Sequence, residues 1–285
     1  MIPLINTDMK HGLAVDLEDW YHPHLIARGS DSSTTLIRNP TRRILELFND
    51  SGVRATFFIV GEVAKRHPDL ISSIAERGHE IACHGFSHRS LASMNAEEFS
   101  RELALAEEAI VAACGQKPQG FRGPSFGLKR KTEWAVEVLQ NRGYAYDSSI
   151  MPSLLGLSGW ATAPRIPFKI GERLWEIPAS TSPVGRIPYG GSIYHRFIPR
   201  GIISQWIRSN ERNGVPSSFY VHPWELLSEL PPTKGNILGR WITLAGQGRV
   251  LPNLKWLLDF VPLSPLGEAF AYLWGAEAPP GTSTP

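Results

Sequence analysis

Short apolar runs alternate along the chain with longer stretches in which apolar positions recur every three or four residues. Leu13-Ala14-Val15 is the first run, and acids follow it directly at Asp16, Glu18 and Asp19. A helix is predicted over 40–50, with Ile44, Leu45, Leu47 and Phe48 apolar and Gly52 behind it. ATFFIV at 55–60 reads as a buried strand, and 69–77 as a helix stopped by Gly78. Ile81-Ala82-Cys83 leads straight into His84, with His88 four positions later. Asn95 suits the cap of a helix running to about Cys114, with Glu97 and Glu98 in its first turn. Gly120-Phe121-Arg122, a helix over 133–142 closed by Gly143, and YDSSI at 146–150 come next. Leu174 to Pro178, a helix near 202–213 and the strand-like SSFYV at 217–221 complete the pattern. Strands separated by helices predict an α/β fold, a parallel sheet or barrel covered by helices. The Pro/Gly-rich stretch 152–192 reads as an irregular insertion within one domain, 1–274, and 275–285 as a disordered tail.

Composition narrows the function classes. The chain has 285 residues, 42% hydrophobic and 20% charged, with a net charge of +2, so it is globular and carries no nucleic-acid footprint. Cys83 and Cys114 stand apart without a CxxC pair, which predicts no disulfide framework and a reducing compartment. The first twelve residues lack the basic region and apolar core of a signal peptide. No apolar run approaches the ~18–20 residues that span a bilayer, so the expectation is a cytoplasmic protein without an integral membrane segment.

The chemistry-bearing residues cluster where strands end, the edge at which α/β proteins build their sites. His84 and His88, one helical turn apart in spacing, suit a single divalent metal, most simply Zn²⁺. A hydrolytic metal site needs a carboxylate ligand and a separate carboxylate to accept a proton from water, and 16–19 holds three acids. Arg122, before Gly123-Pro124, is placed to hold a carboxylate through a bidentate pair. His222, at the end of SSFYV and followed by Pro223-Trp224-Glu225, is placed as a general acid.

Taken in order, VDLEDW, HGFSH, FRGPSF, YDSSI and FYVHPWE resemble the NodB-type polysaccharide deacetylases of carbohydrate esterase family 4. They are most similar to the branch found in exopolysaccharide loci, which shares the DxEDW start and the FYxHPWE ending, and the resemblance spans roughly 11–260. It implies a distorted (β/α) barrel of about seven strands and hydrolysis of an N-acetyl group from a sugar. It also implies a divalent metal on one carboxylate and two histidines, here His84 and His88. Asp16 matches the family's general base, Arg122 the arginine that orients it, Pro124 the proline of the same motif, and His222 the general acid. For the metal carboxylate Asp19 is favoured, as the acid nearest the turn. Glu18 is the competitor, because it shares a strand face with Asp16. A backbone N–H near Phe126 is expected to stabilise the oxyanion. Trp20, Tyr21, Trp160, Trp175 and Trp224 offer flat faces on which sugar rings could stack. The same fold also admits a deformylase, a ureide hydrolase of the allantoin type, or an inactive carbohydrate-binding relative.

Overall fold

A computed structural model describes residues 9–23, 34–154, 160–227, 229 and 244–275. The expected tail therefore lies, apart from Gly275, outside the described residues, as do the first eight residues. The strands are β1 (His11–Leu17), β2 (Thr56–Ile59), β3 (Glu80–Cys83), β4 (Gly120–Phe121), β5 (Tyr146–Asp147), β6 (Phe168–Ile170), β7 (Leu174–Glu176), β8 (Ser218–Val221) and β9 (Leu263–Ser264). They form one nine-stranded sheet in the order β6-β7-β5-β4-β3-β2-β1-β8, with β9 also on β1. All pairings are parallel except β6 with β7. The architecture is mixed α/β with a curled, half-barrel sheet, as expected from sequence. Part of the stretch read as an irregular insertion, 152–192, supplies the β6–β7 hairpin at one edge of that sheet.

The helices are α1 (Arg38–Asp50), α2 (Gly61–Arg66), α3 (Pro68–Glu76), α4 (Ala96–Cys114), α5 (Trp134–Arg142), α6 (Ser192–His195), α7 (Arg200–Arg212) and α8 (Val250–Phe260), with a last single turn at Leu266–Ala269. Local chemistry sets several boundaries. Asn95 and Glu98 form a reciprocal capping box at the start of α4, and Gly115 ends it in the left-handed region. Gly143 ends α5 in the same way.

Strand alternation divides the interior in two. Leu13, Val15, Leu17, Phe57, Ile59, Ile81, Cys83, Phe219 and Val221 belong to the large cluster that packs the sheet against the helices. Ala14, Phe58, Ala82, Tyr146 and Tyr220 belong to a second cluster inside the curl. Asp16 follows Ala14 by two positions, so β1 delivers its carboxylate to this inner face, at the carboxyl end of the strands.

Candidate active site

Arg122 is the centre of the site. Its N–H donates to the Cys83 carbonyl (3.0 Å), which keeps the chain beyond β4 in register with β3. The guanidinium lies 4.2 Å from the Phe58 ring centroid and near Phe126 and Tyr220, and only 1% of the residue is exposed. One arm donates to Asp16 Oδ1 (2.7 Å). The other two nitrogens donate to Ser148, Nε to its carbonyl (3.2 Å) and Nη2 to its Oγ (2.9 Å). The expected bidentate Arg–Asp pair is thus a single bond, because Ser148 takes the rest of the fork.

The HGFSH segment is a loop rather than a helical turn, with Gly85 and His88 both at positive φ (74° and 54°). The first amides of α2 donate to the carbonyls of Gly85 and Phe86, and Glu102 of α4 accepts from the Phe86 and Ser87 amides. Held from both sides, the loop turns both imidazoles inward. His84 Nδ1 is 2.6 Å from the Arg122 carbonyl, so it carries the proton and Nε2 is left as a donor atom. Burial drives the His84 pKa down to about 4, against the opposing pull of nearby carboxylates, so the ring is neutral at physiological pH.

Glu18, His84 and His88 bring one ligand atom each to within 4.8 Å of one another, all buried. Glu18 Oε2 lies 2.6 Å from His88 Nε2. Burial would raise the Glu18 pKa, but the charge and hydrogen bond of His88, with His222 and His84 behind, hold it well below its ordinary value. An ionised carboxylate, a neutral imidazole with its proton turned outward and a second inward imidazole fit a divalent cation such as Zn²⁺. Asp19, favoured from sequence, is committed elsewhere. Its Oδ1 accepts from the Trp20 amide (2.8 Å), and both oxygens accept from the Leu36 amide (3.2 and 3.0 Å). The carboxylate that lies with the two histidines is therefore Glu18 and not Asp19, where the metal carboxylate was expected. The signal was present in the two-residue strand period that aligns Glu18 with Asp16.

His222 ends β8 and closes the site. Its Nε2 lies 3.8 Å from Asp16 Oδ2 and 3.6 Å from Glu18 Oε1. Glu225 accepts at one oxygen from both the His222 amide and Nδ1, each at 3.0 Å. Burial alone would depress the His222 pKa, but Glu225, Glu18 and Asp16 outweigh it and raise it to about 9. Burial likewise opposes ionisation of Glu225, and His222, Arg196 and Ser192 reverse that, lowering it to about 2. Arg196 donates to Glu225 Oε1 (2.7 Å) and Ser192 donates to Oε2. The His222 side chain is 16% exposed, against 5% or less for those of Asp16, Glu18, His88 and Arg122, so the site faces outward on its side.

Three expectations about substrate contacts change. Trp20 and Trp224 are 2% and 5% exposed. Their indole N–H groups donate to the Thr34 carbonyl (3.0 Å) and to Glu18 Oε1 (2.9 Å), so neither presents a free face to a sugar. Phe126 and Pro124 are buried beside Arg122, and the Phe126 amide, the expected oxyanion donor, already donates to the Gly123 carbonyl (3.1 Å). Trp160 and Trp175 are only partly buried, each packed against one of the two core clusters.

Sequence reasoning assigned no role to Ser148, Ser149, Glu176, Ser192, Arg196 or Glu225. Only Glu225 left a readable trace, a carboxylate three residues after a strand-end histidine and behind a proline, the spacing of a reciprocal cap.

Residues 30–146 match the family model for polysaccharide deacetylase, and 148–263 match one described as a domain of unknown function, DUF3473. Over its first matched region the chain is therefore similar to polysaccharide deacetylases. The peptidoglycan-N-acetylglucosamine deacetylase of Bacillus cereus is 35% identical over 99 residues, covering 34% of this chain and 36% of that protein. The chitooligosaccharide deacetylase of Rhizobium leguminosarum bv. trifolii is 41% identical over 99 residues, covering 35% and 43%. The match thus spans less than half the length of these curated relatives. In fold, the chain is similar to a Mycobacterium smegmatis protein designated a polysaccharide deacetylase, with a TM-score of 0.57, 20% identity and coverage of 100% and 98%. It is similar to Puue allantoinase, with a TM-score of 0.59, 16% identity and coverage of 94% and 91%. The site draws on β1 and on both matched regions, His84, His88 and Arg122 from the first and His222 from the second. Among the described residues, no helix is long and apolar enough to cross a membrane.

Proposed function

We propose that the chain is a metal-dependent N-deacetylase acting on an acetylated amino sugar in a polysaccharide or its oligosaccharide precursor, as the DxEDW and FYxHPWE motifs of the exopolysaccharide branch suggest. One observation carries the reading. A carboxylate (Asp16) and a histidine (His222) meet within 3.8 Å beside a Glu18–His84–His88 cluster suited to a metal. Amide hydrolysis needs that combination of a proton acceptor, a proton donor and an electrophile. The two matched regions are proposed to work as one unit, since neither holds the whole set.

When bound, a divalent cation, proposed to be Zn²⁺, supplies Lewis-acid polarisation of the acetyl group, and its charge lessens the pull of Glu18 on His222. Asp16 accepts the proton of the attacking water through Oδ2, while Arg122 holds Oδ1 and stops the carboxylate from turning. His222 donates from Nε2 to the departing sugar nitrogen, since Glu225 engages Nδ1 and fixes which nitrogen faces the site. The products are acetate and a free amino sugar.

The test combines elemental analysis of the purified protein with acetate release from a panel of N-acetylated saccharides. Zinc near one equivalent and acetate from at least one saccharide are expected. His222→Ala should cut the rate by roughly 10²–10⁴-fold without removing the metal. A fully zinc-loaded protein that releases no acetate from any of them would overturn the reading.

A further inference from the structure

Trp224 has no place in the proton transfers, yet it touches both halves of the site. Its indole N–H donates to Glu18 Oε1 at 2.9 Å. Its ring stacks on His222, with centroids 5.1 Å apart and planes 24° from parallel. The residue is 5% exposed and packs with Trp20 in a small apolar cluster, so it is held from the side away from the site.

Glu18 needs such a partner. A glutamate has one more rotatable bond than an aspartate, and that freedom must be lost for one oxygen to face the histidines. The two oxygens are already divided, Oε2 lying 2.6 Å from His88 Nε2 and Oε1 accepting from Trp224. An indole N–H is only a donor, so it can only hold an acceptor oxygen in place. We propose that Trp224 is a positioning residue for the metal carboxylate, fixing the rotation of Glu18 so that it binds through Oε2 alone. The HPWE and DLEDW segments are thereby tied by one bond across β8 and β1. This inference rests on the metal-dependent reading above.

The experiment measures Zn²⁺ affinity by competition with a chromophoric chelator, for the parent protein and for Trp224→Phe, which keeps an aromatic ring beside His222 and removes the donor. A 10–100-fold weaker affinity is expected, the usual effect of losing a partner that orients a ligand. In a Glu18→Ala background the same substitution should change the residual affinity less than twofold. If the parent protein binds no zinc, the metal reading itself fails. If the parent binds zinc and Trp224→Phe binds within twofold of it, only the role of Trp224 is overturned. Equal losses in both backgrounds would also overturn it, by tracing the effect to packing. Should Trp224→Phe not fold, β-(3-benzothienyl)alanine at position 224 keeps the indole shape, replaces N–H with sulfur and carries the same test.

Discussion

Replacing Glu176 with Gln should flatten a pH dependence that the parent protein carries near Arg122. Asp147 and Glu176 are register partners on adjacent parallel strands, both fully buried, with their carboxyl groups facing each other. Burial raises Asp147 to about 6 and Glu176 well above the ordinary carboxylate range, where the adjacent Asp147 pushes it further. At neutral pH Glu176 therefore keeps its proton and Asp147 is ionised. The unfolded chain releases the Glu176 proton near pH 4.3, so the folded state holds an extra proton above that point. Stability contributed by that proton is full below the unfolded pKa and falls as pH rises toward the folded one. For one retained proton the slope is at most about 1.4 kcal/mol per pH unit. A glutamine amide donates in place of the acid and has no proton to lose. His222 and the titrating groups away from this pair are common to both proteins and largely cancel in the difference. Urea unfolding at pH 6, 7 and 8 should show the Gln variant gaining on its parent as the pH rises. A difference that stays constant over the range would refute the retained proton. Asp147 accepts from the Ser149 hydroxyl, whose oxygen accepts from the Gly123 amide (2.6 Å), so activity at pH 7 should survive the substitution.

Other substitutions separate the remaining roles. Glu18→Ala should weaken zinc binding enough to lower the zinc content after purification, whereas Asp19→Ala should keep it, because Asp19 only secures the Trp20 and Leu36 amides; elemental analysis of both variants decides. Glu225→Gln should lower the His222 pKa from about 9 in the metal-free protein, since Glu225 is its closest carboxylate, and NMR titration of the imidazole reads the shift. The favourable His222–Glu225 charge pair is lost as pH rises through the folded pKa, so metal-free Glu225→Gln should also lose its stability deficit at high pH. Gly120→Ala should destabilise by about 1–3 kcal/mol or more, because a methyl there would overlap the buried Tyr146 ring; thermal unfolding checks it.

Much of this protein was legible along its chain. Apolar runs marked β1, β2, β3 and β8, and capping residues marked the ends of α4 and α5, because those signals are local. Strand-end chemistry picked out Asp16, His84, His88, Arg122 and His222, since a parallel sheet gathers the ends of its strands at one edge. Tertiary structure decided which acid joins the histidines. Asp19 is as close in sequence as Glu18, but its oxygens meet the Leu36 amide seventeen residues away, a contact no local pattern encodes. It also decided that Trp224 holds a carboxylate instead of a sugar, and that Ser148 takes two arms of Arg122. Periodicity assigns a side chain to a face of the sheet. Which partner waits on that face depends on strands brought together from more than a hundred residues apart.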